Sequence, residues 1–137
     1  MIIPMLKGLA LTLSRVFSRP ITIQYPEEKL PPGLRWRGVH YFERDEKGTT
    51  KCVACGLCMA VCPSQCITLE TAEAEDGRRY PLTYHLDGSR CIYCGYCEEA
   101  CPVGAIFLGK SCEWVEEKRE PLMLDTEKLL EQKQYNP

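Results

Sequence analysis

The first residues of the chain carry apolar side chains at the spacing of a helix. Intervals of four and three alternate between them, which places them along one face of an α-helix. The stripe consists of Ile2, Leu6, Leu9, Leu13 and Val16, widened by Ile3, Ala10 and Phe17. Lys7 and Arg15 lie elsewhere around the helix, and Pro20 stops it. The pattern predicts an amphipathic docking segment over residues 1–20, helical from Met1 to Ser18.

Residues 21–51 show no such period. Prolines interrupt this segment at Pro26, Pro31 and Pro32, and its aromatic side chains are Tyr25, Trp36, Tyr41 and Phe42. A backbone with so many prolines does not form a long helix. We expect an extended strap that lies on another surface.

An internal repeat defines the third segment, residues 52–110. The stretch CVACGLCMAVCPSQCI at 52–67 aligns with CIYCGYCEEACPVGAI at 91–106, at an offset of 39 residues. The copies share four cysteines, a glycine, a proline and the final isoleucine, which predicts two similar halves related by a pseudo-two-fold axis. Between them, residues 67–69 and 82–86 alternate like short strands around a turn at Glu75-Asp76-Gly77, so we expect a hairpin.

The last segment, residues 111–137, is acidic and weakly helical around Thr126 to Lys133. We interpret it as a C-terminal arm that lies on a partner or in solvent. Short helices, short strands and extended arms around a repeated centre predict an α+β fold.

Composition narrows the class of protein. At 137 residues the chain fits one small domain with extensions rather than a multidomain enzyme. Its net charge of −2 and its 26% of charged residues fit neither a disordered acidic chain nor a uniformly basic nucleic-acid binder. The ten cysteines are counted among the 45% of hydrophobic residues, so the organic core is small if they are ligands. Bound metal must then help to hold the fold.

The N-terminus bears on whether the cysteines form disulfides or bind metal. It has no basic segment ahead of an apolar one and no small-residue cleavage site, so we expect no secretory signal. Its longest uncharged apolar stretch, Gly8–Ser14, is far shorter than the ~20 residues of a transmembrane helix. We therefore expect a reducing compartment, in which clustered thiols are metal ligands.

Each repeat reads C-x-x-C-x-x-C-x-x-x-C-P, the run that binds [4Fe–4S] clusters in bacterial ferredoxins. The fourth cysteine of each run serves the other cluster in two-cluster ferredoxins. We expect the first cluster on Cys52, Cys55, Cys58 and Cys101, and the second on Cys91, Cys94, Cys97 and Cys62. Gly56 and Gly95 allow the tight loop between ligands. Zinc is the alternative, but a zinc site needs only four ligands and leaves the third cysteine of each run unexplained.

Four further residues of metal-binding type lie outside the motifs. Cys66 occupies the repeat position of Ala105, and we interpret it and Cys112 as buried small hydrophobes. His40 and His85 belong to no Cys-His pair, and we interpret them as surface or strand histidines.

Clusters with four cysteine ligands each leave no coordination position for a substrate, so these centres should transfer electrons. The chain has no G-x-G-x-x-G fingerprint, no phosphate-binding P-loop and no plausible catalytic triad. We therefore expect no catalytic residue and no direct NAD binding, with catalysis on partner subunits.

The sequence resembles a known family along nearly its whole length. It is similar to the two-[4Fe–4S] ferredoxin-like subunit of respiratory complex I, the NADH:quinone oxidoreductase subunit I family (23-kDa TYKY-type). The matching stretches are Lys7–Glu28, Arg35–Phe42, Lys51–Pro63, Asp87–Ile106 and Glu117–Leu130. The stretch Ser111-Cys112-Glu113-Trp114 differs from the usual family pattern.

The resemblance implies a subunit of a quinone-reducing translocase, bound peripherally to the cytoplasmic face of the cell membrane. Its two clusters would relay electrons toward the cluster that reduces quinone, and its partners would be other peripheral-arm and membrane subunits. The alternatives are a soluble ferredoxin and the ferredoxin subunit of a membrane-bound hydrogenase. A soluble carrier has little reason to expose the apolar N-terminal stripe.

Overall fold

The computed structural model describes residues 2–46 and 48–135. The chain divides into two compact units, and the boundary between them in the sequence falls between Pro31 and Pro32. The first unit contains helix α1 (Ile2–Val16), which confirms the predicted N-terminal helix. Pro4 lies in its first turn, where the helix needs no backbone N–H donor. No residue of α1 is buried.

The described part of the second unit contains short helices and strands. In chain order they are β1 (His40–Phe42), α2 (Leu57–Val61), β2 (Ile67–Glu73), β3 (Arg79–Asp87), α3 (Tyr96–Glu99), β4 (Ile106–Leu108), β5 (Met123–Asp125) and α4 (Thr126–Glu131), with 3-10 turns at Glu120–Leu122 and Gln132–Tyr135. The strands form two antiparallel sheets, one of β1 and β4 and one in the order β2-β3-β5. This arrangement confirms the predicted α+β class.

The two halves of this unit follow the sequence repeat. Helices α2 and α3 begin at Leu57 and Tyr96, and strands β2 and β4 begin at Ile67 and Ile106. Both pairs are separated by 39 residues, which is the offset of the cysteine motifs. Each motif therefore runs from a ligand loop through one short helix into a strand.

The hairpin between the motifs is also confirmed. Strands β2 and β3 pair antiparallel, with Ile67 opposite Leu86 and a register shift between Glu70 and Thr71. Gly77 makes the turn with a φ of 78°. A positive φ favours glycine there, because a side chain would be strained.

The core draws on segments outside the motifs. Phe42 from β1, Tyr84 from β3, and Leu124 and Leu129 from the C-terminal segment are each at most 1% exposed. Burying a large apolar side chain contributes about 1.5–3 kcal/mol. The interpretation that the C-terminal segment lies on a partner or in solvent is therefore wrong, since this segment packs on its own domain.

The C-terminal helix forms where the sequence indicated one. Asp125 caps α4, and its side chain accepts a hydrogen bond from the backbone N–H of Lys128 at 2.9 Å. This cap satisfies a donor that the first helical turn leaves free. Within the described residues, no helix combines the length and hydrophobicity required to cross a bilayer.

Candidate metal centres

The first group of predicted ligands converges on one cavity. Cys52, Cys55, Cys58 and Cys101 line it together with apolar side chains that include Phe42, Leu69, Val103 and Ile106. Cys52 lies close enough to interact electrostatically with each of the other three thiols. The structure thus brings Cys101, from the second motif, to the three ligands of the first motif.

The second group shows the same exchange between motifs. Cys91 interacts electrostatically with Cys94 and with Cys62 of the first motif. Cys97, which is buried, interacts with Cys91 and Cys94, and also with Cys58 of the first group. These contacts agree with two groups of four cysteines, each with one member from the other repeat, and that division stays a prediction.

Backbone N–H groups point at the sulfurs of both groups. Ala54 donates to the Sγ of Cys52 at 3.4 Å, and Tyr93 donates to the Sγ of Cys91 at 3.4 Å. Ala105 donates to the Sγ of Cys101 at 3.2 Å. Such donors stabilise negative charge on a ligating sulfur and help to set the reduction potential of a cluster.

The loops around the ligands contain left-handed residues at repeat-related positions. Gly56 and Gly95 have φ values of 77° and 84°, as their role in the loop predicts. Two further pairs separated by the repeat offset are also left-handed, namely Ala54 with Tyr93 and Gln65 with Gly104. Sequence reasoning missed these pairs because three of their four members are not glycine.

Burial changes the pKa values of the predicted ligand thiols. Burial, reinforced by the neighbouring thiols, raises the pKa of Cys52 to about 11, and burial also raises the pKa of Cys97 to about 12. Several negatively charged thiolates buried close together repel one another, and positive charge is needed to stabilise them. Iron supplies that charge when the thiolates ligate it. The donor set, the apolar wall and the N–H groups fit [4Fe–4S] clusters. Among the described residues, no group of three or more His, Cys, Asp or Glu side chains is arranged to hold a single metal ion.

The residues outside the motifs fall in different places. Cys66 is buried as expected, whereas Cys112 is exposed, so the expectation for Cys112 is wrong. His85 lies exposed on β3. His40 lies at the start of β1 and is only 1% exposed, and its Nε2 is 3.7 Å from the Sγ of Cys91. Sequence reasoning missed this contact because 51 residues separate the two side chains.

Other side chains also reach the predicted ligands. The Tyr84 hydroxyl lies 3.7 Å from the Sγ of Cys58. The Ser64 hydroxyl and the Cys66 thiol each lie 3.5 Å from the Sγ of Cys62. Burial would raise the pKa of Cys62, but hydrogen bonds from Ser64 and Cys66 outweigh it and lower that pKa. Burial raises the pKa of Cys66 to about 12, so this thiol keeps its proton at neutral pH.

Comparison with known proteins identifies a matching domain family and relatives that share one name. Residues 51–105 match the 4Fe-4S dicluster domain. The chain is 42% identical over 131 residues to NADH-quinone oxidoreductase subunit I 2 of Geobacter metallireducens, covering 96% of this chain and 99% of that protein. It is 48% identical over 124 residues to the Rhizobium meliloti subunit I 2, covering 90% of this chain and 66% of that protein.

A solved structure shares the fold at lower identity. It belongs to the membrane-bound sulfane sulfur reductase, an archaeal respiratory membrane complex, and aligns with a TM-score of 0.51 and 28% identity. The match covers 82% of this chain but only 57% of the archaeal one. The 4Fe-4S dicluster domain and the similarity to the Geobacter subunit I protein over nearly its whole length confirm the expected cofactors, two [4Fe–4S] clusters. The chain belongs to the NADH-quinone oxidoreductase subunit I family.

Proposed function

We propose that this chain is the electron-transfer subunit of a complex I-type NADH:quinone oxidoreductase and relays electrons toward the cluster that reduces quinone. The two groups of four thiols carry this proposal. Ligation by all eight cysteines fills both clusters with protein ligands and leaves no position for a substrate. Subunit I proteins of this oxidoreductase align with nearly the whole chain.

The residues of the chain prepare the site for electron transfer. When bound, a [4Fe–4S] cluster supplies a centre that accepts and releases one electron. The apolar side chains around Cys52 and Cys58 keep water from the thiolates. The backbone N–H donors to the sulfurs are already in position before an electron is added to a cluster. Fixed donors respond to added negative charge with little rearrangement, which favours fast transfer.

The sequence has no dinucleotide fingerprint, so we expect a partner subunit, and not this chain, to oxidise NADH. This expectation can be tested directly. The anaerobically reconstituted full chain should accept electrons from dithionite but should not oxidise NADH. NADH oxidation by the purified chain would contradict the proposal, because a relay subunit obtains its electrons from a partner.

We further propose that α1 docks the subunit peripherally at the cytoplasmic face of the membrane, against other subunits of the assembly. Its apolar side chains are more than half exposed, including Ile2 at 72%, Leu6 at 58%, Leu9 at 66% and Leu13 at 57%. Exposed apolar faces of this kind mark interaction surfaces. Lys7, Arg15 and Arg19 add positive charge, which favours an anionic membrane surface.

Deletion of residues 1–19 tests the docking role. The predicted cluster ligands begin at Cys52, so the variant should keep its iron–sulfur absorbance. It should fail to assemble into a membrane-bound complex and should abolish quinone reductase activity of that complex. Normal assembly of the deletion variant would contradict the docking role and favour a soluble carrier.

Charge reversal at Lys7, Arg15 and Arg19 separates lipid contact from protein contact. A lipid-facing helix should lose salt-sensitive binding to anionic phospholipid vesicles when these charges are reversed. A helix docked on protein should show little vesicle binding before or after the change. Vesicle binding that is unaffected by both salt and charge reversal would contradict the electrostatic part of the proposal.

A second candidate is a subunit of another membrane-bound respiratory enzyme. The similarity to a chain of the archaeal sulfane sulfur reductase favours this candidate, because a chain of similar fold belongs to a different respiratory membrane complex there. The subunits that copurify with the chain distinguish the two. Flavin- and NADH-binding subunits would support the first candidate, and a nickel-bearing subunit would support a hydrogenase.

A further inference from the structure

Side-chain hydrogen-bond donors are distributed unequally between the two groups of thiols. In the first group, the Tyr84 hydroxyl approaches Cys58 at 3.7 Å. In the second, the His40 imidazole approaches Cys91, and Cys66 and Ser64 approach Cys62. The backbone donors at Ala54 and Tyr93, by contrast, are matched at 3.4 Å. The main difference around the ligands therefore lies in the side chains.

The position of His40 determines which of its nitrogens carries a proton. The ring is almost completely buried, and its Nδ1 has no hydrogen-bond partner among the residues that the structure describes. Nδ1 is unpartnered among these residues in either tautomer, but a proton there would also turn the lone pair of Nε2 toward the lone pairs of the Cys91 sulfur, which is repulsive. A proton on Nε2 instead points at the Sγ of Cys91, which can only accept a hydrogen bond once it ligates iron.

The surroundings of His40 hold the ring in place. The residue belongs to β1 and pairs with Leu108 of β4. The ring of Tyr93 packs against it with a centroid distance of 5.6 Å. A donor held by a strand and a neighbouring ring responds to charge on Cys91 without having to move.

Cys66 reinforces this asymmetry. Its thiol lies 3.5 Å from the Sγ of Cys62 and is also near enough to Cys91 to lower the pKa of that thiol, so it acts on one predicted ligand from each repeat. The equivalent position in the other repeat is Ala105, which has no donor in its side chain. The second group of thiols therefore has a donor that the repeat does not provide to the first group.

We propose that His40 is a positioning residue which, through its hydrogen bond to Cys91 and together with Cys66, raises the reduction potential of the second cluster. Reduction adds one negative charge to a cluster, and donors to its sulfurs stabilise that charge. This inference rests on the proposed relay function and its ligand assignment.

The test is an anaerobic redox titration of the reconstituted full chain, followed by electron paramagnetic resonance. His40→Phe removes the donor while keeping an aromatic ring. It should lower the ratio of reduced to oxidised second cluster about tenfold at a given potential. For a one-electron couple this corresponds to a fall of ~59 mV in the midpoint potential of the second cluster. His40→Gln, which restores an N–H at a similar distance, should recover most of this shift. Cys66→Ala should lower the same midpoint.

Tyr84→Phe is the matched control. It removes the side-chain donor to Cys58, so it should lower the midpoint of the first cluster and leave the second unchanged. Equal shifts of both midpoints in His40→Phe would indicate a general structural effect and would overturn the inference.

Two further outcomes distinguish a failure of this inference from a failure of the proposed electron-relay function. If His40→Phe and Cys66→Ala retain about eight iron atoms and neither changes a midpoint, the inference is overturned and the relay function stands. If the native chain binds no iron under reconstitution, both are overturned.

Discussion

Ala54 and Tyr93 lie 39 residues apart and adopt the same left-handed backbone, with φ values of 50° and 53°. Each donates its backbone N–H, at 3.4 Å, to the sulfur of the cysteine two residues before it, Cys52 or Cys91. This strained turn places the donor beneath the first ligand of each motif. The repeat thus preserves a backbone shape as well as the positions of the cysteines.

The left-handed turn predicts a specific sensitivity at Ala54. Ala54→Val should release the first cluster faster, because a β-branched residue in this conformation costs about 2 kcal/mol and Ala54 is buried. Ala54→Gly is the control and should retain the cluster, because glycine adopts this φ without strain. The measurement is the rate at which visible absorbance is lost in the presence of an iron chelator. Equal rates for the two variants would contradict the importance of the turn.

Gly38 should tolerate no side chain. A Cβ at this position would lie 2.1 Å from the backbone oxygen of Ser111 and 2.9 Å from that of Gly109. Gly38→Ala should therefore displace the start of β1 and destabilise the domain by about 1–3 kcal/mol. Gly33→Ala is the matched control, since a Cβ there meets no described atom within 4 Å. Thermal unfolding of the cluster-bound chain should show a lower midpoint for the first variant alone.

Asp87 connects the hairpin to the C-terminal segment. Its carboxylate accepts hydrogen bonds from the Ser89 backbone and hydroxyl, at 3.1 and 2.5 Å, and from Arg119. Asp87→Asn should destabilise the domain by about 2 kcal/mol at neutral pH, because charged hydrogen bonds in a buried site are lost. Arg90→Gln is the control and should cost less than about 1 kcal/mol, since the Arg90 side chain is 64% exposed.

The effect of Asp87 should depend on pH. The Ser89 hydroxyl and Arg119 hold the pKa of Asp87 below its ordinary value. A lowered folded-state pKa gives stability that is complete above the unfolded value of about 3.9 and disappears as the pH falls through the folded value. The ratio of urea-induced bleaching rates for Asp87→Asn and the native chain should therefore fall toward one as the pH is lowered from neutral through the unfolded value of about 3.9. A ratio that grows in acid would show that the carboxylate is not stabilised in the fold.

Local features of this chain could be predicted from its sequence. The periodic stripe from Ile2 to Val16 gave α1, and the alternating residues around Gly77 gave the hairpin of β2 and β3. Both depend on neighbours in the sequence, where periodicity and turn residues are informative. The cysteine grouping could be proposed for the same reason, because its spacing is a local motif.

The features that escaped prediction depend on pairing between distant segments. Phe42 belongs to the core because β1 pairs with β4, and that register also brings His40 to Cys91. Leu129 is buried because α4 packs back onto the domain. No residue type or period in residues 21–51 or 111–137 indicates these partners, since each contact depends on a strand register or a helix packing that only the folded chain defines.

The exchange of ligands between the two repeats is tested most directly by iron content in double variants. Cys101→Ser should leave about four iron atoms per chain, because one cluster is lost. Adding Cys55→Ser should change nothing, since both cysteines are assigned to the first cluster. Adding Cys94→Ser instead should remove the remaining iron, since Cys94 is assigned to the second cluster. The reverse pattern, in which the Cys101→Ser/Cys94→Ser chain keeps about four iron atoms and the Cys101→Ser/Cys55→Ser chain keeps none, would show that each motif binds its own cluster and would contradict the assignment.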